Sequence, residues 1–167
     1  MARIEIPDGD TPEVVRALTL APHFAEVVWA YEQAVAKSPL DRRLHELVRM
    51  RIALINECVV CLNWRNKDWG VTEEELAAVG DYAASDLFSA QEKLVLEYAE
   101  RFATDSARIA DDLIERLVEQ LGASGVADLT LVAGKYLAMG RFMQVLGLDQ
   151  ACNLVFDDSG ELVVTTV

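Results

Sequence analysis

The apolar side chains of residues 44–55 recur with a helical period. One stripe, with spacing i, i+3, i+4, i+7, i+8 and i+11, runs through Leu44, Leu47, Val48, Arg51, Ile52 and Ile55, and only Arg51 interrupts its apolar character. A half-buried β-strand would alternate at every second residue instead, so this spacing predicts an amphipathic helix with a wide apolar face. Glu46 lies within the same segment, which predicts a carboxylate on a largely apolar wall.

Helical signals continue along most of the chain. A first long helix is expected at residues 23–37, ended by Ser38-Pro39, and a second begins near Asp41. Capping boxes at Thr72 to Glu75 and Ser89 to Glu92 mark two further helix starts. The remaining predicted helices are 89–105, 109–121, which ends at Gly122, and 125–146. We therefore expect an all-α fold, with a short hairpin in the tail at 154–167 as its one β element.

Length and composition favour one soluble domain over residues 1–167. We expect a core of about 20–150 between a polar N-terminal arm and a C-terminal tail, and the 52% apolar content is enough for that core. The formal charge of −13 opposes binding to nucleic acid or anionic lipid. No apolar run resembles a membrane span or a secretory signal, so we expect a cytoplasmic protein.

Two of the three cysteines form the motif Cys58-Val59-Val60-Cys61. In a reducing compartment such a pair is typical of redox chemistry or metal binding, and two buried structural thiols are the third interpretation. Zinc would need two more ligands, which only Cys152 with His23 or His45 could supply, and no spacing supports that arrangement. The redox interpretation is the best supported, and we expect neither a metal nor another cofactor.

Asn56 is a good N-cap residue, which places Cys58 in the first turn of a helix where the helix dipole favours a thiolate. The same helical face would carry Cys61 and then Arg65, about one turn further, as a second positive charge near sulfur. Arginine cannot accept a proton, so the candidate general base is Glu46. A purely structural ion pair of Glu46 with Arg49, or with Arg42 or Arg43, is the alternative.

The segment Glu46-Leu47-Val48-Arg49-Met50-Arg51-Ile52-Ala53 followed by Cys58-Val59-Val60-Cys61 resembles the core of carboxymuconolactone decarboxylase-like proteins, in particular the alkylhydroperoxidase D branch. The separation of 12 residues between Glu46 and Cys58 fits that pattern. The resemblance implies an all-α homo-oligomer in which a Glu, two Cys and a His form a proton-relay peroxidase site. This sequence has Arg65 where the relay histidine is expected, and Val60 before the second cysteine.

The resemblance therefore predicts a thiol-dependent peroxidase or disulfide reductase. Its catalytic residues would be Cys58, Cys61, Glu46 and Arg65, its substrate a small peroxide or disulfide, and its partner an external thiol reductant. His45, rotated about 100° from Glu46 around the helix, is an alternative source of the imidazole. A lactone decarboxylase that uses Glu46, and a non-catalytic oligomeric binding protein, are the alternative functions.

Overall fold

Seven α-helices make up most of the part of the chain that the structure describes. This computed structural model describes residues 2–148 and the backbone of two strands. The helices are α1 (Glu13–Leu18), α2 (Pro22–Ala36), α3 (Arg42–Ile55), α4 (Val59–Asn63), α5 (Glu73–Ala78), α6 (Ala90–Asp105) and α7 (Asp111–Leu146). Short 3-10 turns lie at Lys67–Trp69, Val79–Asp81 and Ser106–Arg108. The predicted all-α class is confirmed.

The C-terminal strands β1 (Cys152–Phe156) and β2 (Leu162–Thr166) pair antiparallel. Cys152 lies opposite Thr166 at one end of this pairing, and β1 runs beside α4. The predicted hairpin is thus present. The side chain of Cys152 lies outside the described residues.

The long helices begin and end close to their predicted positions because strong local signals mark them. The Asp41 side chain caps α3 by accepting from the amides of Arg43 and Leu44. Both capping boxes are formed, at the starts of α5 and α6. Gly122, with φ of 71°, interrupts α7 at the place where the sequence predicted one helix to end and another to follow.

Helix α3 lies at the centre of the fold, between α6 and α7. Leu44, Val48 and Ile52 of its stripe enter one core cluster, and Leu47 enters a second. The buried members of the first cluster are Leu40, Leu44, Val48, Ile52, Leu94, Val95, Tyr98, Ala99, Leu113, Leu117, Leu129 and Ala133. Arg43 adds a polar connection, because it forms ion pairs with Glu75 and Glu92, the two capping-box glutamates, at 2.5 Å each. Arg43 of the central helix α3 thereby connects this helix to the N-terminal turns of α5 and α6.

Within the described residues, no helix has the length and apolar character required to cross a bilayer.

Candidate active site

The chain reverses between α3 and α4 immediately before the cysteine pair. Asn56 has helical φ and ψ of −75° and −11° and ends α3, so its predicted role as N-cap of the next helix is wrong. Its side-chain amide instead donates to the carbonyls of Tyr136 and Leu137 on α7, at 3.2 and 3.4 Å. Glu57 then takes a positive φ of 51°, and this left-handed residue turns the chain into α4.

Cys58 and Cys61 form a disulfide, with their Cα atoms 5.3 Å apart. Cys58 is itself the N-cap of α4, and its Sγ accepts a hydrogen bond from the backbone amide of Cys61 at 3.3 Å. The two residues differ in exposure, because Cys58 is fully buried whereas Cys61 is partly exposed. Of the two residues, Cys61 is therefore the one with surface open to solvent.

Glu46 lies on α3 with 1% of its surface exposed. Both of its carboxylate oxygens accept from Arg49, Oε1 from Nη2 at 2.5 Å and Oε2 from Nε at 2.8 Å. Oε2 also accepts from the side-chain amide of Asn66 at 2.7 Å. Of the three arginines considered as structural partners for Glu46, Arg49 is the one that binds it.

Arg49 also reaches the segment that carries the cysteines. Its Nη1 donates to the carbonyl of Cys61 at 2.5 Å, and its Nη2 donates to the carbonyl of Trp64 at 3.0 Å. The residue is only 3% exposed. The sequence analysis named Arg49 only as a possible structural partner of Glu46, and it did not predict the contacts of Arg49 with the segment that carries Cys61.

Arg65 does not continue the helical face of the cysteines, and that prediction is wrong. Helix α4 ends at Asn63 and Trp64 is extended, with φ of −69° and ψ of 138°. The Arg65 guanidinium forms two hydrogen bonds with Glu73, at 2.7 and 3.1 Å. It also donates to the carbonyls of Leu62 and Trp64. Its hydrogen bond with Glu73 lowers the pKa of that carboxyl.

A second polar group surrounds His45, which is 3% exposed. Its Nε2 lies 3.0 Å from the Tyr136 hydroxyl, and its ring packs against Trp69 with centroids 4.8 Å apart. Burial lowers the pKa of His45 to about 4, with Lys135 adding to the effect and Glu46 opposing it. Lys135 is in turn held by Glu32 at 2.6 Å and lies over the Tyr136 ring. At neutral pH the His45 imidazole is therefore uncharged.

An N-terminal strap, residues 2–18, covers the cysteine pair. Its side chains Ala2, Ile6, Val14 and Ala17 pack in one apolar cluster with Cys58, Val60, Cys61, Trp64, Phe142, Met143, Leu146 and Leu148. The strap is tied to the end of α7 by the Arg3 amide, which donates to the Leu146 carbonyl at 2.8 Å. The arm predicted from sequence as polar thus contributes apolar side chains to the cluster that contains the disulfide.

No group of three or more His, Cys, Asp or Glu side chains in the described part of the chain is arranged to hold a metal ion. The protein is therefore of the all-α class, and its central helix α3 is joined to α4 by a left-handed turn at Glu57. Beyond this turn lies a partly covered CxxC disulfide, and the buried Glu46–Arg49 ion pair contacts the same segment.

The amino-acid sequence of this chain is similar to a known protein family and to two bacterial proteins. A profile of the carboxymuconolactone decarboxylase family matches residues 22–101. The uncharacterized protein YnjA of Escherichia coli (strain K12) is 31% identical over 115 residues, which cover 67% of this chain and 63% of YnjA. The uncharacterized protein YdfG of Bacillus subtilis (strain 168) is 25% identical over 132 residues, covering 77% and 90%. Residues 22–101 of this chain are therefore similar to the carboxymuconolactone decarboxylase family.

Solved structures share the fold. A protein of unknown function from Agrobacterium tumefaciens, whose description connects it with the antioxidant defence protein AhpD, superposes with a TM-score of 0.73 at 21% identity, covering 88% of this chain and 96% of that one. A peroxidase-related protein from Ralstonia eutropha JMP134, described as an alkylhydroperoxidase AhpD core, gives 0.70 at 17% identity over 88% and 90%. The debrominase Bmp8 gives 0.71 at 13% identity over 84% and 78%. The AhpD-like fold is thus confirmed, and one fold accommodates differently named reactions.

Proposed function

We propose that the protein is a thiol-dependent peroxidase or disulfide reductase that cycles Cys58 and Cys61 between dithiol and disulfide. The observation that carries this proposal is the disulfide itself, formed across one turn with one sulfur buried and the other residue partly exposed. The AhpD and peroxidase descriptions of the structural neighbours support the same chemistry.

We infer the order of the steps from the difference in exposure. The Cys61 thiolate attacks the peroxide oxygen, breaks the O–O bond and becomes a sulfenic acid, while the released alkoxide takes a proton to leave as an alcohol. The Cys58 thiolate then attacks the Cys61 sulfur, forms the S–S bond and expels hydroxide, which is protonated to water. An external dithiol restores the pair by attacking Cys61, and is itself oxidised to a disulfide.

The cap geometry suits Cys58 to the second and third of these steps. Its Sγ accepts from the Cys61 amide, and a hydrogen bond to sulfur favours the thiolate over the thiol. The same bond stabilises Cys58 as the leaving group when an external thiolate attacks Cys61. Cys58 therefore acts as the resolving cysteine, and Cys61 as the one that meets the substrate.

Glu46 is our candidate for the group that accepts the thiol proton. Its Oε1 takes one hydrogen bond, from Arg49, whereas Oε2 takes two, so Oε1 keeps the acceptor capacity that a proton relay through water would need. Because Arg65 is held by Glu73 and by two carbonyl groups, we assign it the support of α4 in place of direct activation of sulfur.

Peroxide consumption with a dithiol donor tests the proposal, with the parent compared to Cys58→Ser and Cys61→Ser. We expect both variants to lose turnover, and Cys61→Ser alone to lose the single-turnover burst as well. Equal rates in all three proteins would refute the redox assignment. A decarboxylase would then retain lactone turnover in both serine variants, and a binding protein would show no turnover at all.

We also propose that a second copy of this chain covers an exposed apolar face formed by Phe24, Val27 and Leu131. The stripe of α2 that buries Val35 continues through Val27 and Phe24, yet these two side chains are 62% and 56% exposed, and Leu131 on α7 is 61% exposed. A homo-oligomer would bury this stripe.

Light scattering of Val27→Asp should give a smaller species than the parent, whereas Leu87→Asp, at an exposed leucine elsewhere, should not. An unchanged mass for Val27→Asp would refute this interface.

A further inference from the structure

The C-terminal end of α4 is held by two arginine side chains. This helix has five residues, so most of its terminal carbonyl groups have no partner within it. Arg49 donates to the carbonyls of Cys61 and Trp64, and Arg65 to those of Leu62 and Trp64. The short helix that carries the second cysteine thus depends on side chains from outside for its C-terminal cap.

Arg49 differs from Arg65 in its surroundings. Its side chain is 4% exposed and its charge is balanced by the equally buried Glu46, whereas the side chain of Arg65 is 33% exposed and faces Glu73 near solvent. Water can replace the contacts of a partly exposed arginine at little free-energy change, but it cannot reach the contacts of a buried one. Of the two arginines, the buried one determines where the Cys61 backbone lies.

The Cys61 backbone is also the donor to the other sulfur. Arg49 fixes the carbonyl of Cys61 at 2.5 Å, and the amide of the same residue donates to Cys58 Sγ at 3.3 Å. These two groups flank a single Cα atom, so displacement of the carbonyl also displaces the amide. A guanidinium on α3 is therefore connected through one residue to the sulfur that becomes a thiolate when the disulfide is reduced.

We propose that Arg49, with Glu46 as its buried counter-ion, is the positioning residue of the dithiol. By holding Cys61 in place it keeps the Cys61 amide on Cys58 Sγ, which favours the Cys58 thiolate. A stabilised thiolate makes the reduced form more favourable and hence the disulfide more oxidising. This role rests on the proposed function for its use in turnover, but the thiol pKa and the reduction potential exist without any peroxide.

The test compares Arg49→Lys with Arg65→Lys, because both substitutions keep the positive charge and both lose the planar fork of donors. The readouts are thiolate absorbance against pH and disulfide equilibration against a glutathione buffer. For Arg49→Lys we expect the lower thiol pKa to rise by about one unit, an approximately tenfold smaller thiolate fraction at a pH below it, together with a more reducing potential. Arg65→Lys should leave both quantities near those of the parent.

A double variant, Glu46→Met with Arg49→Met, guards against failure to fold, since replacing a buried ion pair by apolar side chains is often tolerated. Because the double variant removes one negative and one positive charge, the net charge near the cysteines is unchanged. A rise in its thiol pKa would therefore report the loss of positioning by Arg49 and not the loss of a charge. Parent-like titration in both Arg49→Lys and the double variant would overturn the proposal, as would equal shifts in Arg49→Lys and Arg65→Lys. If the parent consumes no peroxide yet Arg49→Lys shows the shift, the peroxidase assignment fails and the positioning role stands.

Discussion

Replacing His45 with glutamine should make the protein less sensitive to acid. His45 is 3% exposed, and burial lowers its pKa in the folded protein to about 4, whereas an unfolded chain has a histidine pKa of about 6.5. Below pH 6.5 the unfolded state therefore binds a proton that the folded state does not. The stability that depends on an uncharged His45 is complete above pH 6.5 and is lost as the pH falls towards 4.

The size of the effect follows from these two pKa values. At pH 5 the unfolded histidine is almost fully protonated and the folded one about one tenth protonated, which lowers the free energy of unfolding by about 2 kcal/mol. By pH 4 the loss reaches about 3 kcal/mol. Glutamine can still hydrogen bond to the Tyr136 hydroxyl but has no proton to gain, so His45→Gln should lack this part of the pH dependence.

Urea unfolding at pH 7 and pH 5, followed by circular dichroism, measures the difference. The quantity to compare is the change in the free energy of unfolding between the two pH values, because buried carboxylates titrate alike in parent and variant and cancel. His23→Gln is the matched control, since His23 lies exposed on α2 and should leave the parent's pH dependence unchanged. The reasoning fails if His45→Gln loses as much stability between pH 7 and pH 5 as the parent does.

Three further substitutions test separate parts of the structure. Glu57→Gly should stabilise the protein by about 0.5–1 kcal/mol, because glycine tolerates the positive φ of 51° that glutamate adopts with strain; a lower urea midpoint would contradict this. Ser89→Ala removes a capping-box hydroxyl from the start of α6 and should lower the stability by about 1 kcal/mol, as measured by urea unfolding. Ile6→Ala weakens the apolar contact of the N-terminal strap by about 1 kcal/mol. Because the strap then opens about five times more often, reduction of the disulfide by a protein dithiol should accelerate about fivefold. The control is Ile4→Ala, at an exposed residue of the strap, which should leave the rate unchanged.

The parts of the fold that the sequence predicted correctly are those determined by neighbouring residues. Asp41, Thr72 and Ser89 each cap a helix through an amide two or three positions away, so the signal lies within one turn of chain. The Cys58–Cys61 pair is equally local, since three residues within one turn place the sulfurs in bridging reach.

The errors arose where local signals competed or were absent. Asn56 is a good N-cap residue, but it directly follows the last periodic residue of α3, Ile55, and its side chain donates to the carbonyl of Tyr136 on α7, 80 residues away in sequence. The left-handed turn at Glu57 contains no glycine that would have marked it. Neither glycine nor proline lies between Cys61 and Trp69, so the end of α4 at Asn63, and with it the place of Arg65, left no mark in the sequence.

The arrangement around α4 bears on the role of Arg65, which occupies the position where the resemblance implied a relay histidine. A histidine at position 65 could pass a proton, whereas an arginine there binds carbonyl oxygens and a carboxylate. With Arg49 on the other side, both cations fix the backbone of α4, and each has its own acidic partner, so little net charge is added near sulfur. Thiolate formation should then depend more on the Cys61 amide than on a nearby base. Thiol-disulfide exchange needs a stabilised leaving thiolate, whereas peroxide reduction also needs delivery of a proton to the departing oxygen. We therefore expect this site to keep thiol-disulfide exchange even where its peroxide reduction is slow.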